Sequence, residues 1–282
     1  MRDYENLIKE EMEEWKEIEG KMLKKGIPWW VDLRRAKLKG KDLFWRNDPK
    51  KETIVRGEEK EKLIKLATEK KGKVVDLGCG SGWLSLELAR NGMKVVGIDV
   101  SPDRIKIAKK FLKENPFKKN FGKVEYLVDD LNKIDFPENS FDAVVVWDTL
   151  HHFPNLDEIL IKVKRWLKPQ GKFVVYDHIG NKLLKFGSQI LELFWSKEKG
   201  SKVIPYEDIL GKKIISLIKK RFEVKSTYTR LSFPVSILLY LLLSKDFLMP
   251  LLPVIIKIDR FLCNSRFFLG EYVFIDACNK KP

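Results

Sequence analysis

The segment Val74-Val75-Asp76-Leu77-Gly78-Cys79-Gly80-Ser81-Gly82 leads from an apolar run into a helical pattern, with glycines at three alternate positions. Glycine tolerates tight turns and close backbone approach, so this loop is predicted to hold a small molecule where a strand passes into a helix. A dinucleotide fingerprint would need a third glycine where Trp83 stands, so close packing on a pyrophosphate is not expected. The next apolar run ends in Gly97-Ile98-Asp99. A carboxylate at that place can accept hydrogen bonds from both hydroxyls of a ribose. Together the two features predict a site for a nucleoside without a phosphate.

Acid–base chemistry has few candidates. The chain's three histidines are His151, His152 and His178, and they fall with Asp148 at the predicted ends of two further strands. Neutral imidazole can take a proton near physiological pH. His152, His178 and Asp148 are therefore the candidate proton acceptors, while His151 is expected to pack against the sheet. Asp148 is equally suited to cap the turn that follows it. Cys79, Cys263 and Cys278 lie far apart, without a Cys-x-x-Cys pair or a histidine cluster, so neither a zinc site nor a disulfide framework is predicted. This fits a reducing cytoplasm. The start of the chain, Met-Arg-Asp-Tyr-Glu-Asn, lacks the apolar stretch of a secretory signal.

Short apolar runs at 73–77, 94–99, 123–128, 142–147 and 172–177 alternate with helical patterns at 82–91, 102–114 and 156–167. That alternation is expected of a parallel sheet covered on both faces, with its ligand at the strands' carboxyl ends. A helix at 206–221 and strands at 222–230 and 269–277 complete the prediction. Before this core, residues 2–25 place Leu7, Ile8, Met12, Trp15 and Ile18 on one helical face. A second helix carries Trp29, Trp30 and Leu33, and a third is predicted at 57–70 after a break at Asp48-Pro49. The division that follows is an N-terminal helical extension, 1–56, and a catalytic domain, 57–282, with insertions at 178–205 and 231–266.

Both insertions are apolar: Val235-Ser236-Ile237-Leu238-Leu239-Tyr240-Leu241-Leu242-Leu243 is one of two such runs in the second. Each run is shorter than the ~20 residues that cross a bilayer. They read either as an apolar lid over the substrate or as a peripheral membrane contact. The net charge of +15 is compatible with nucleic acid, an anionic membrane or an acidic substrate, and does not choose among them. Abundant Lys and Glu beside two glutamines, Gln170 and Gln189, is a composition associated with high-temperature habitats.

From Asp76 to Gly82 the acid-then-GxGxG pattern resembles the first motif of the class I S-adenosylmethionine-dependent methyltransferases, within them the small-molecule and lipid type like that of ubiquinone and menaquinone biosynthesis. The resemblance runs from about residue 73 to 177 through Gly97-Ile98-Asp99-Val100-Ser101, Asp130-Leu131, Phe141-Asp142-Ala143-Val144 and Leu167-Lys168-Pro169-Gln170-Gly171. It implies a Rossmann-like α/β fold with a seven-stranded, mostly parallel sheet whose last strand is antiparallel. It also implies S-adenosyl-L-methionine as cofactor and S-adenosyl-L-homocysteine as product. The roles it carries over are the methionine part at Gly78, Gly80 and Gly82, the ribose at Asp99 and the adenine amino group at Asp130, and the cofactor-binding set also takes in Asp76, Cys79, Val100 and Leu131. Trp147 joins the cofactor-binding set, and Cys79 acts there as a small filler. The expected reaction is methyl transfer to an apolar or amphiphilic small-molecule or lipid-like acceptor. RNA methylation is the alternative, motivated by Trp29, Trp30 and Trp45 near the Lys-rich residues 37–41. Against it, Trp147-Asp148-Thr149-Leu150 stands where an Asn-Pro-Pro-Tyr-like tetrad would be. A noncatalytic scaffold is the third reading.

Overall fold

The computed structural model describes residues 49–153, 155–179, 211–232, 250–265 and 270–280, with a few further positions in 6–20 and 234–239. Its element order is α1 (Pro49–Ala67), β1 (Lys73–Leu77), α2 (Trp83–Arg90), β2 (Lys94–Asp99), α3 (Pro102–Lys113), β3 (Lys123–Val128) and β4 (Phe141–Trp147). A 3-10 turn at Leu150–His152 follows, then α4 (Leu156–Trp166), β5 (Leu167–His178), α5 (Gly211–Arg221), β6 (Glu223–Ser232), α6 (Leu252–Asn264) and β7 (Gly270–Cys278).

The strands form one seven-stranded sheet in the order β3-β2-β1-β4-β5-β7-β6. β1 pairs in parallel with both β2 and β4, while β7 runs antiparallel to β5 and β6. The predicted Rossmann-like architecture is therefore the one observed. Strand order reverses between β1 and β4, and such a reversal opens a crevice at the strands' carboxyl ends.

Alternation along the strands divides the core. Val75, Leu77, Val96, Ile98, Val144 and Val146 point to one face, against α4 and α5. Val74, Val95, Val145 and Trp147 point to the other, where Leu63 of α1, Leu84 and Leu88 of α2 and Ile255 of α6 cover them. Strands buried on both faces read as continuous Val/Ile runs, which is why they are easily found in the sequence.

Two boundaries differ from expectation. The helix predicted at 57–70 is α1, which begins at Pro49 and runs without interruption through the division drawn between 56 and 57. A proline lacks the N–H that a first helical turn leaves unbonded anyway, so Asp48-Pro49 precedes a helix here rather than separating two segments. β5 begins at Leu167 instead of 172, because Leu167 pairs with Phe141 before a register shift and Lys172 resumes the pairing with Ala143. Gln170, with φ 62°, lies in that irregularity. The two N-terminal helices and the insertion at 178–205 lie almost wholly outside the described residues, as does 240–249 of the second insertion.

Candidate active site

The loop after β1 takes left-handed backbone angles at Gly78, Gly80 and Gly82, with φ of 67°, 52° and 87°. A Cβ on Gly78 would lie 2.2 Å from Thr149 Cγ2, and one on Gly82 would lie 2.4 Å from Tyr126 Oη. Both conformation and space therefore require glycine. The Cys79 N–H donates to the Ile98 carbonyl at 2.8 Å, the Gly80 N–H to Asp99 Oδ2 at 2.8 Å, and the Gly82 N–H to the Cys79 carbonyl at 2.9 Å. These amides are spent on the protein itself, unlike those of a nest that cradles phosphate.

Asp99 also accepts the Ser101 N–H on Oδ1 at 2.9 Å, and Arg104 lies 3.9 Å from its Oδ2. A carboxylate has about four lone-pair directions, so these contacts orient Asp99 without exhausting it for two sugar hydroxyls. Val100 follows it, half-buried. At the end of β3, Asp130 Oδ1 accepts the Asn132 backbone N–H at 2.9 Å and its Nδ2 at 3.0 Å, beside buried Leu131. Asp76 is buried in β1 and accepts the Ser85 hydroxyl at 2.7 Å. Burial pushes its carboxyl up to about 7, with the nearby Asp99 charge adding to the shift. Burial likewise raises the Cys79 thiol well above its ordinary range, consistent with a filler rather than a nucleophile.

At the carboxyl ends of β4 and β5, buried Asp177 gathers a turn. Its Oδ2 accepts the N–H groups of Thr149 at 3.0 Å and Leu150 at 2.6 Å, and its Oδ1 accepts the His151 N–H at 3.3 Å. The same Oδ1 lies 2.6 Å from His151 Nδ1. His151 is thus the buried member of the turn, as expected. Its ring brings the other two histidines together, with centroids 3.9 Å from His152 and 5.7 Å from His178. Burial, then the neighbouring His151, hold the His152 imidazole well below its ordinary value, so it is neutral at physiological pH. His178 Nε2 lies 3.3 Å from Glu271 Oε1 on the adjacent strand.

Asp148 does not cap the turn. Its backbone is left-handed, with φ 52°, and its Oδ2 accepts a 2.7 Å bond from Arg56 Nη1 on α1. The turn's first amides already belong to Asp177, which removes any need for that cap. The Arg56 guanidinium also lies 5.2 Å from the Trp147 ring, 5.8 Å from Tyr176 and 5.4 Å from Tyr272. Trp147 itself stacks on Tyr176 at 4.3 Å and meets Trp83 edge-on at 5.3 Å. Among the described residues, the buried Asp148 Oδ1, Tyr176 Oη and His178 Nδ1 find no hydrogen-bond partner. Among the described residues no group of His, Cys, Asp and Glu could hold a metal.

Sequence reasoning did not single out Asp177, Arg56, Tyr176 or Glu271. Asp177 had a signal, an acid one residue before a candidate histidine at a strand end. The other three belong to elements distant in sequence and had none.

Residues 75–175 match the family described as a methyltransferase domain. Sterol 4-C-methyltransferase strm-1 of Caenorhabditis elegans is 34% identical over 109 residues, which are 37% of this chain and 30% of that protein. The mitochondrial ubiquinone biosynthesis O-methyltransferase of Schizosaccharomyces pombe is 33% identical over 103 residues, 36% of each. The chain thus spans about a third of these relatives' length. Among solved structures, the PH0226 protein of Pyrococcus horikoshii OT3 superposes with a TM-score of 0.53 at 25% identity, covering 86% of this chain and all of the other. With the glycine loop and Asp99, these matches identify residues 75–175 as a class I S-adenosylmethionine-dependent methyltransferase domain.

Proposed function

We propose that this protein transfers a methyl group from S-adenosyl-L-methionine to an apolar or amphiphilic small-molecule or lipid-like acceptor. The observation that carries the reading is the Gly78–Gly82 loop clasped to Asp99 at the carboxyl edge of β1 and β2. In this reading Asp76, Gly78, Cys79, Gly80 and Gly82 surround the methionine part, Asp99 and Val100 the ribose, and Asp130 and Leu131 the adenine, with Trp147 walling the crevice. When bound, the cofactor supplies an electrophilic methyl group on a sulfonium sulfur. The residues' remaining task is to align the acceptor and exclude water.

His178 is the group proposed to take the acceptor's proton. With Nε2–H donating to Glu271, the lone pair rests on Nδ1, which has no hydrogen-bond partner among the described residues. Asp148 and neutral His152 line the same edge, and Asp148 Oδ1 together with Tyr176 Oη would orient a hydroxyl on the acceptor. A buried polar group left unpaired costs about 1–3 kcal/mol, which a bound hydroxyl would recover. The names of the two relatives, a sterol 4-C-methyltransferase and a ubiquinone biosynthesis O-methyltransferase, support an apolar or amphiphilic acceptor.

Calorimetry of the full chain with S-adenosyl-L-methionine tests the first step, and absence of binding would overturn the reading. Incubation with labelled cofactor and a cell extract split into lipid, small-molecule and RNA fractions tests the second. Label is expected in the first or second fraction, and label confined to RNA would refute the acceptor class.

A further inference from the structure

Helix α6 sits at the catalytic edge. Its buried Asp259 accepts the backbone N–H groups of Leu231 at 2.8 Å and Ser232 at 2.6 Å, fixing the helix to the end of β6. β6 runs antiparallel to β7, which runs antiparallel to β5, so β6 ends on the same side of the sheet as His178. The inner face of α6 packs Leu252, Ile255 and Ile256 into the core.

The outer face is apolar as well. Leu251 is 49% exposed, Val254 56%, Ile258 50% and Phe261 74%, and their spacing of three, four and three aligns them in one stripe. A protein surrounded by water seldom keeps such a row uncovered, and rows of this kind mark docking surfaces. Charge indicates the occupant. The exposed polar positions of the helix are Lys257 and Asn264, Arg260 flanks the stripe paired with Glu58, and the helix's one acid, Asp259, faces inward. An apolar stripe beside cations, on a chain of net charge +15, complements an anionic lipid surface. The stripe extends for about 15 Å, half the ~30 Å of a bilayer's hydrocarbon, so the helix would lie in the membrane plane. No described helix is long and apolar enough to cross a membrane.

We propose that α6 docks this protein on anionic phospholipid bilayers, with Leu251, Val254, Ile258 and Phe261 in the acyl boundary and Lys257 among the headgroups. Docking would hold the crevice against the phase where an apolar acceptor collects. The benefit to catalysis rests on the proposed function, but docking itself is read without any methyl transfer.

The test is flotation of the full chain with vesicles of equal parts phosphatidylglycerol and phosphatidylcholine, and with pure phosphatidylcholine. Binding is expected to the mixed vesicles and to be about tenfold weaker to the neutral ones. The Ile258→Asp/Phe261→Asp variant is expected to lose flotation while keeping its melting temperature and its calorimetric affinity for S-adenosyl-L-methionine. Wild-type protein that stays with the soluble fraction overturns the proposal, whether a second copy or residues 233–249 cover the stripe, and light scattering separates those two. Flotation unchanged in the variant also overturns it. Failure to bind S-adenosyl-L-methionine with flotation intact would sink the proposed function and leave docking standing.

Discussion

Asp76 lies under the glycine loop with its carboxyl raised to about 7, so near neutrality it is poised between two states. Its folded value exceeds its unfolded one, so the stability it contributes is full below about pH 4 and is lost as pH rises through about 7. Urea unfolding of the cofactor-free protein should show this loss, and Asp76→Asn should remove it. A cationic ligand favours the ionised carboxylate. Affinity for S-adenosyl-L-methionine is therefore expected to rise between pH 6 and 8 in calorimetry, and to be flat in Asp76→Asn. On the acceptor side, His178→Ala should lower kcat by about 100-fold or more, with cofactor affinity changed less than about twofold. Glu271→Gln should instead lower kcat less than His178→Ala does, since it alters the ring's partner and keeps the ring.

The elements that hold these residues depend on a few buried carboxylates. Asp177 unites β5 with the 149–151 turn by accepting three backbone N–H groups, so Asp177→Ala strands those donors. A loss of about 3–5 kcal/mol in urea unfolding is expected, the range for uncoupling a buried charged partner. Gly78→Ala should also act through an element, by pressing the loop against the Thr149 side chain of that same turn. A non-glycine residue in left-handed geometry costs about 1–2 kcal/mol before any clash, and the displaced loop should weaken cofactor binding at least tenfold by calorimetry. β1, β2 and the loop between them were legible because one strand–turn–helix unit carries their pattern. α1 was only partly legible, because Pro49 punctuates in one context and starts a helix in another.

For the whole molecule, the +15 charge predicts weak, sequence-independent RNA binding and nothing more selective. Filter binding to tRNA should collapse between about 50 and 200 mM salt, and salt-resistant binding would revive the RNA alternative. The sequence by itself determined the sheet, the glycine loop with Asp76 and Asp99, and the histidines as acid–base candidates, because each signal is local or repeats with a strand's period. Tertiary structure decided how the acceptor side is wired. Arg56 reaches Asp148 across 92 positions, and Asp177 meets His151 across 26. Glu271 reaches His178 only because β7 lies antiparallel beside β5. Pairings of that kind are consequences of chain topology, and neither residue type nor spacing records them. The same holds for α6, whose sequence fits a lid and a membrane contact alike and whose outer stripe stands out only once Asp259 fixes which side faces in.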